Sequence, residues 1–100
     1  MKFKEYLDEA KYDPTKETHT IKSDELDHER KRMRSAMKSS DGDKYIERRL
    51  SKTTHINKLI AFGHNLEDEN YHEEADKARQ KAISLGAKKH HVYNYKIEDE

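Results

Sequence analysis

Cysteine is absent from this chain of 100 residues, which excludes a disulfide, a thiolate metal site and a cysteine nucleophile, and agrees with a reducing compartment. No apolar run approaches the 18 or so residues of a membrane span, and residues 1–10 lack the apolar centre of a secretory signal, so a soluble protein is expected. Hydrophobic residues are scarce, at 31% against 42% charged, and the core must be small. Neither charge sign dominates: Lys plus Arg and Asp plus Glu number 21 each. That balance removes the self-repulsion that would expand the chain and argues against an all-over imitation of DNA. No glycine-rich phosphate loop, GxSxG nucleophile turn or HExxH zinc motif occurs, and no repeat recurs at 20–50 residues. The chain is not expected to be an enzyme, and no cofactor is implied.

What is there begins with the first ten residues. Phe3, Tyr6, Leu7 and Ala10 fall at i, i+3, i+4 and i+7, which gives a helix one narrow apolar stripe against Lys2, Lys4, Glu5, Asp8 and Glu9. Ten residues are fewer than the roughly 12–15 needed for marginal helicity in water, so the stripe should order only against a partner or the rest of the chain. The pattern reads as a docking tag. The single proline, Pro14, follows Asp13 and breaks any extension of the tag, so residues 11–22 read as a linker with a possible short strand. A linker of this kind leaves the neighbouring backbone open to a protease.

These residues resemble the capsid-targeting sequence of the internal head proteins of T-even-type tailed bacteriophages. The resemblance rests on Met1, Lys2, Phe3, Glu5, Tyr6 and Leu7, with Phe3, Glu5, Tyr6 and Leu7 as the targeting residues, and on a Glu9-Ala10 junction. Asp8 departs from the small or amide-bearing residue usual before the cleaved Glu. The resemblance implies co-assembly with the prohead scaffold, cleavage by the prohead protease between Glu9 and Ala10, and residence in the virion interior beside packaged DNA. It also implies injection into the host cytoplasm, where such cargo can inhibit a restriction-type defence protein. It covers one tenth of the chain and leaves the remainder to be read from its residues.

Residues 23–100 read as one small domain, mainly α to α+β. Ser23 and Asp24 can cap a helix over about 24–38, with acids at its start and bases behind them, as the helix dipole favours. A second helix is expected over 44–62 from Tyr45, Ile46, Leu50, Ile56, Leu59, Ile60 and Phe62, ended by Gly63. A third is expected over 67–85, where Tyr71, Ala75, Ala78, Ala82 and Leu85 form a stripe closed by Gly86. The last two should pack as an antiparallel hairpin. Alternation at His91, Tyr93, Tyr95 and Ile97 suggests a strand over 90–97, with 18–22 as its available internal partner.

Two charge clusters are the candidate surfaces. Arg30, Lys31, Arg32, Arg34 and Lys38 carry no acid among them and, with Lys88 and Lys89, could bind nucleic-acid phosphates. Glu67, Asp68, Glu69, Glu73, Glu74 and Asp76 carry no base among them and could grip a basic protein partner. The seven histidines show no metal-ligand spacing and read as solvated surface groups, with His90 and His91 beside Lys88 and Lys89 better suited to an anion. The expected function is therefore stoichiometric inhibition of a host defence protein by an injected head protein. The alternatives are a small helical nucleic-acid-binding protein that uses 30–38, and a structural component of the prohead core.

Overall fold

In the computed structural model, which describes residues 12–38 and 42–98, strand β1 (His19–Lys22) runs directly into helix α1 (Ser23–Lys38). Helices α2 (Gly42–Lys52), α3 (Ile56–Asp68), α4 (His72–Ser84) and the short α5 (Lys89–Tyr93) follow, and strand β2 (Tyr95–Glu98) closes the order. The targeting residues Phe3, Glu5, Tyr6 and Leu7, and the Glu9-Ala10 junction, lie outside the described residues. The chain is mainly helical, with no disulfide.

α1 has the limits its capping residues predict, with Asp24 and Glu25 in the first turn and Lys38 in the last. The expected helix over 44–62 is instead two helices, α2 and α3, separated by Thr53, Thr54 and His55. The hydrophobic phase explains the break. In one continuous helix Leu59 would lie about 140° round from Ile46, whereas both side chains are buried in the same core. Two consecutive β-branched residues, which lose rotamer freedom in a helix, mark where the backbone turns. His55 is extended there, with φ −94° and ψ 120°.

α3 then passes through Gly63, read from sequence as its stop, and ends at Asp68. It stops in a Schellman arrangement: the Tyr71 N–H donates to the Leu66 carbonyl (2.8 Å) and the Asn70 N–H to the Glu67 carbonyl (3.1 Å), with Asn70 at φ +68°. α4 ends the same way on Gly86, at φ +114°, where the Ala87 N–H reaches the Ala82 carbonyl at 3.0 Å. The third predicted helix thus starts five residues late, at His72, because its acidic beginning belongs to the end of α3.

α3 is the central element: Leu59, Ile60, Ala61, Phe62, Gly63, Asn65 and Leu66 are all buried. Its most extensive contact is with α4, with which it forms the expected antiparallel hairpin across the turn at 69–71. Ala75, Ala78 and Ala82 are fully buried there. A Cβ placed on Gly63 would sit 3.5 Å from the Ala75 carbonyl oxygen and 3.7 Å from the Ala78 Cβ, so the two helices leave room for one methyl group. Leu26 and Met33 of α1, Ile46 of α2, Ile21 of β1 and Val92 of α5 complete the core. Fully burying side chains such as Phe62 or Met33 contributes about 1.5–3 kcal/mol each.

β1 and β2 pair with each other, in parallel, with His19 opposite Tyr95 and Ile21 opposite Ile97. The strand expected over 90–97 is confined to Tyr95–Glu98, because Lys89–Tyr93 forms α5. Alternation of apolar residues suggested strand at 91–93, but His91 and Val92 are adjacent and both buried, which a half-buried strand does not allow.

Candidate functional site

The two charge clusters meet each other. The α1 stripe places Arg30 where a hydrophobe would continue the series Leu26, Met33, and the guanidinium reaches across to α3 instead: Arg30 Nη2 donates to Asp68 Oδ2 at 2.6 Å. One turn on, Arg34 Nε donates to Glu69 Oε1 at 2.8 Å. From α4, Arg79 Nη1 donates to Glu67 Oε1 at 2.8 Å, and His72 lies against the other oxygen of the same carboxylate. The first three acids of the acidic run are therefore satisfied inside the molecule. Glu73 and Asp76 are exposed and Glu74 half-buried on α4, with Asp76 accepting from the Tyr93 hydroxyl at 3.3 Å.

The basic run is divided in the same way. Arg30 and Arg34 face the acids, while Lys31, Arg32 and Lys38 are exposed, Arg32 standing 3.9 Å from Glu29. Lys88 and Lys89 are exposed at the start of α5, a separate element. Isolated exposed pairs of this sort contribute about 0.2–1 kcal/mol each, so their larger effect is on which charges remain available to a partner.

A second basic site was not visible in the sequence. Between the end of α2 and the start of α3 lies an open recess of about 340 Å³. Arg48, Arg49 and Lys52 line it from α2, Thr53, Thr54 and His55 from the connection, and Lys58 from the first turn of α3. No carboxylate is among its walls. Arg49 is committed to structure: it pairs with the buried Glu29 of α1, and its guanidinium lies 5.4 Å from the centre of the Phe62 ring. Arg48 and Lys52 are exposed and have no ion-pair partner among the described residues. The carbonyls that end α2 do not oppose this positive charge alone, because Lys81 Nζ donates to Leu50 O and, at 2.9 Å, to Ser51 O. Read as one helix, 44–62 puts Arg48 and Lys52 on one side but Lys58 about 120° round from Lys52; the break at 53–55 brings Lys58 to the same recess.

The histidines divide into two groups, which corrects the expectation of solvated surface groups. His28, His55, His72 and His90 are exposed, but His19 and His91 are buried and His64 is half-buried. His91 Nε2 donates to the Lys16 carbonyl at 2.7 Å, so its Nδ1 accepts from the Tyr12 hydroxyl, which itself accepts from the Lys88 N–H at 3.0 Å. His90 Nε2 reaches the Glu17 carbonyl at 3.2 Å. The segment before β1 is thus held along α5, and His91 is an internal tie for it. His19 packs beside this pair, 5.7 Å from the Tyr12 ring, with a buried Nε2 that has no hydrogen-bond partner among the described residues.

Burial, with the neighbouring His91 and Lys16 adding to it, lowers the pKa of His19 below its ordinary 6.5. Burial also lowers that of His64, with Asp68 opposing and Arg30 and Arg79 reinforcing the shift. The Tyr95 hydroxyl lies 2.6 Å from His64 Nδ1, and burial raises its pKa. At the surface, Asp13 accepts from the Thr15 hydroxyl and N–H, which lowers its pKa.

Among the described residues, no helix is long and apolar enough to cross a membrane, and no group of three or more His, Asp or Glu side chains converges as a metal ion would need. No protein-family model matches this sequence, and neither the curated proteins nor the solved structures searched contain a significant match.

Proposed function

We propose that this chain is an internal head protein of a T-even-type tailed phage, processed between Glu9 and Ala10, packaged, and injected to inhibit a host defence protein by stoichiometric binding. The resemblance of residues 1–10 to a capsid-targeting sequence is the observation that supports the reading. Tyr12, only two residues beyond Ala10, is already part of the fold, hydrogen-bonded to His91 and to the Lys88 N–H. A cut after Glu9 would leave both of these bonds on the mature side.

On the cargo, the face offered to a protein partner is the outward side of α4. Glu67, Asp68 and Glu69 are neutralised by Arg79, Arg30 and Arg34, so Glu73, Glu74 and Asp76 carry the remaining acidic potential. Such a face steers a basic surface and sets partner choice more than affinity. Binding, rather than catalysis, suits an exposed charged helix face.

Mass spectrometry of purified virions tests the proposal: a chain beginning at Ala10 is expected. An intact chain from Met1 that is absent from particles sinks it. Where particles contain the processed chain, inhibition of a restriction-type activity should saturate at a fixed molar ratio. Glu73→Lys with Glu74→Lys should abolish it, with only a modest fall in melting temperature from the loss of two acids in the first turn of α4.

A further inference from the structure

We propose that the recess between α2 and α3 binds a phosphate group. Arg48 and Lys52 stand one helical turn apart on α2, on the same side, and Lys58 approaches from the first turn of α3. The three cations surround a concavity that no carboxylate lines. A phosphate, with its charge spread over several oxygens, is the ligand class that pairs with convergent guanidinium and ammonium donors.

Thr53 lines the recess and is only 8% exposed, so it forms part of its fixed wall. The N-terminus of α3 opens beside it: His55 is the capping residue and makes no side-chain cap. Unsatisfied N–H groups at a helix start favour an anion there. Lys81, by capping the carbonyls of Leu50 and Ser51, screens the negative end of α2 from the same space.

The volume, about 340 Å³ and open on one side, admits a single phosphate with whatever is attached to it. The phosphate can belong to a nucleic-acid backbone or to a free phosphate or nucleotide, and the chemistry of the site is common to both. This site is separate from the acidic face of α4 and stands whether or not that face binds a protein.

The full chain, labelled with 15N, is titrated with inorganic phosphate and separately with a short DNA duplex of arbitrary sequence. Phosphate is expected to shift the amides of Thr53, Thr54, His55 and Lys58. Arg48→Ala with Lys52→Ala should weaken that binding at least about tenfold, because two charge-assisted contacts are lost. The variant should keep its melting temperature, since both side chains are exposed. A duplex that shifts the same amides at lower concentration and loses affinity steeply with salt assigns the site to nucleic acid. A duplex that leaves them unmoved assigns it to small phosphates. Amides at 53–58 that respond to neither, or that respond equally in the double variant, overturn the proposal.

Discussion

Glu29 is the residue with the most at stake in the folded chain. It is 7% exposed, on α1, and among the described residues its close cation across the interface is Arg49 of α2, itself largely buried against Phe62. Removing one partner of a buried pair strands the other charge, at a cost of about 3–5 kcal/mol, whereas replacing both with apolar groups costs far less. Glu29→Ala should therefore lower stability by roughly 3 kcal/mol in denaturant melts. Glu29→Leu combined with Arg49→Met should recover most of that loss. A double variant as unstable as Glu29→Ala would show that the pair has specific worth beyond compensating its own burial. Asn65 makes a similar demand on a smaller scale: fully buried, it donates to the Leu26 carbonyl at 3.2 Å and so ties α3 to α1.

At the scale of elements, the hairpin of α3 and α4 is set by two details that look alike in sequence and act differently. Gly63 lies inside a helix against Ala75 and Ala78, with space for one methyl and no more. Gly63→Ala is expected to stabilise by about 0.5–1 kcal/mol through helix propensity, while Gly63→Leu should destabilise by about 1–3 kcal/mol as it forces the helices apart. Thermal melts of the two variants check both signs. Asn70 is the true stop, at φ +68°, and Asn70→Val should cost about 1–2 kcal/mol because a β-branched side chain resists that backbone. Helix α1, the hairpin and the stop at Gly86 were legible in the sequence because capping residues and spacing agreed. The division at Thr53 to His55 was not, since apolar residues continue through it at near-helical intervals and only their phase changes. The recess formed there was hidden for the same reason. The pairing of Arg30 and Arg34 with Asp68 and Glu69 was hidden differently, because charges more than thirty residues apart in sequence carry no periodic signal of contact.

For the whole molecule, acidity is the informative variable. His19 and His64 have pKa values lowered below the ordinary 6.5 by burial, so the unfolded chain takes up protons first as pH falls. The stability they allow is present above about pH 6.5 and is lost progressively below it. Melting temperature should fall between pH 7 and pH 5, and His19→Gln with His64→Gln should flatten that dependence. A melting temperature that holds steady across the range would mean that both rings are protonated without penalty in the fold. The parallel pairing of β1 with β2, and the bonds from Tyr12 and Lys16 to His91, join the earliest described residues to the last. During synthesis, β1 has no strand to pair with and His91 is not yet present, so the N-terminal region stays accessible until residues 91–98 have emerged. A nascent chain would expose Tyr12 and β1 to whatever captures them well before the remainder can close around them.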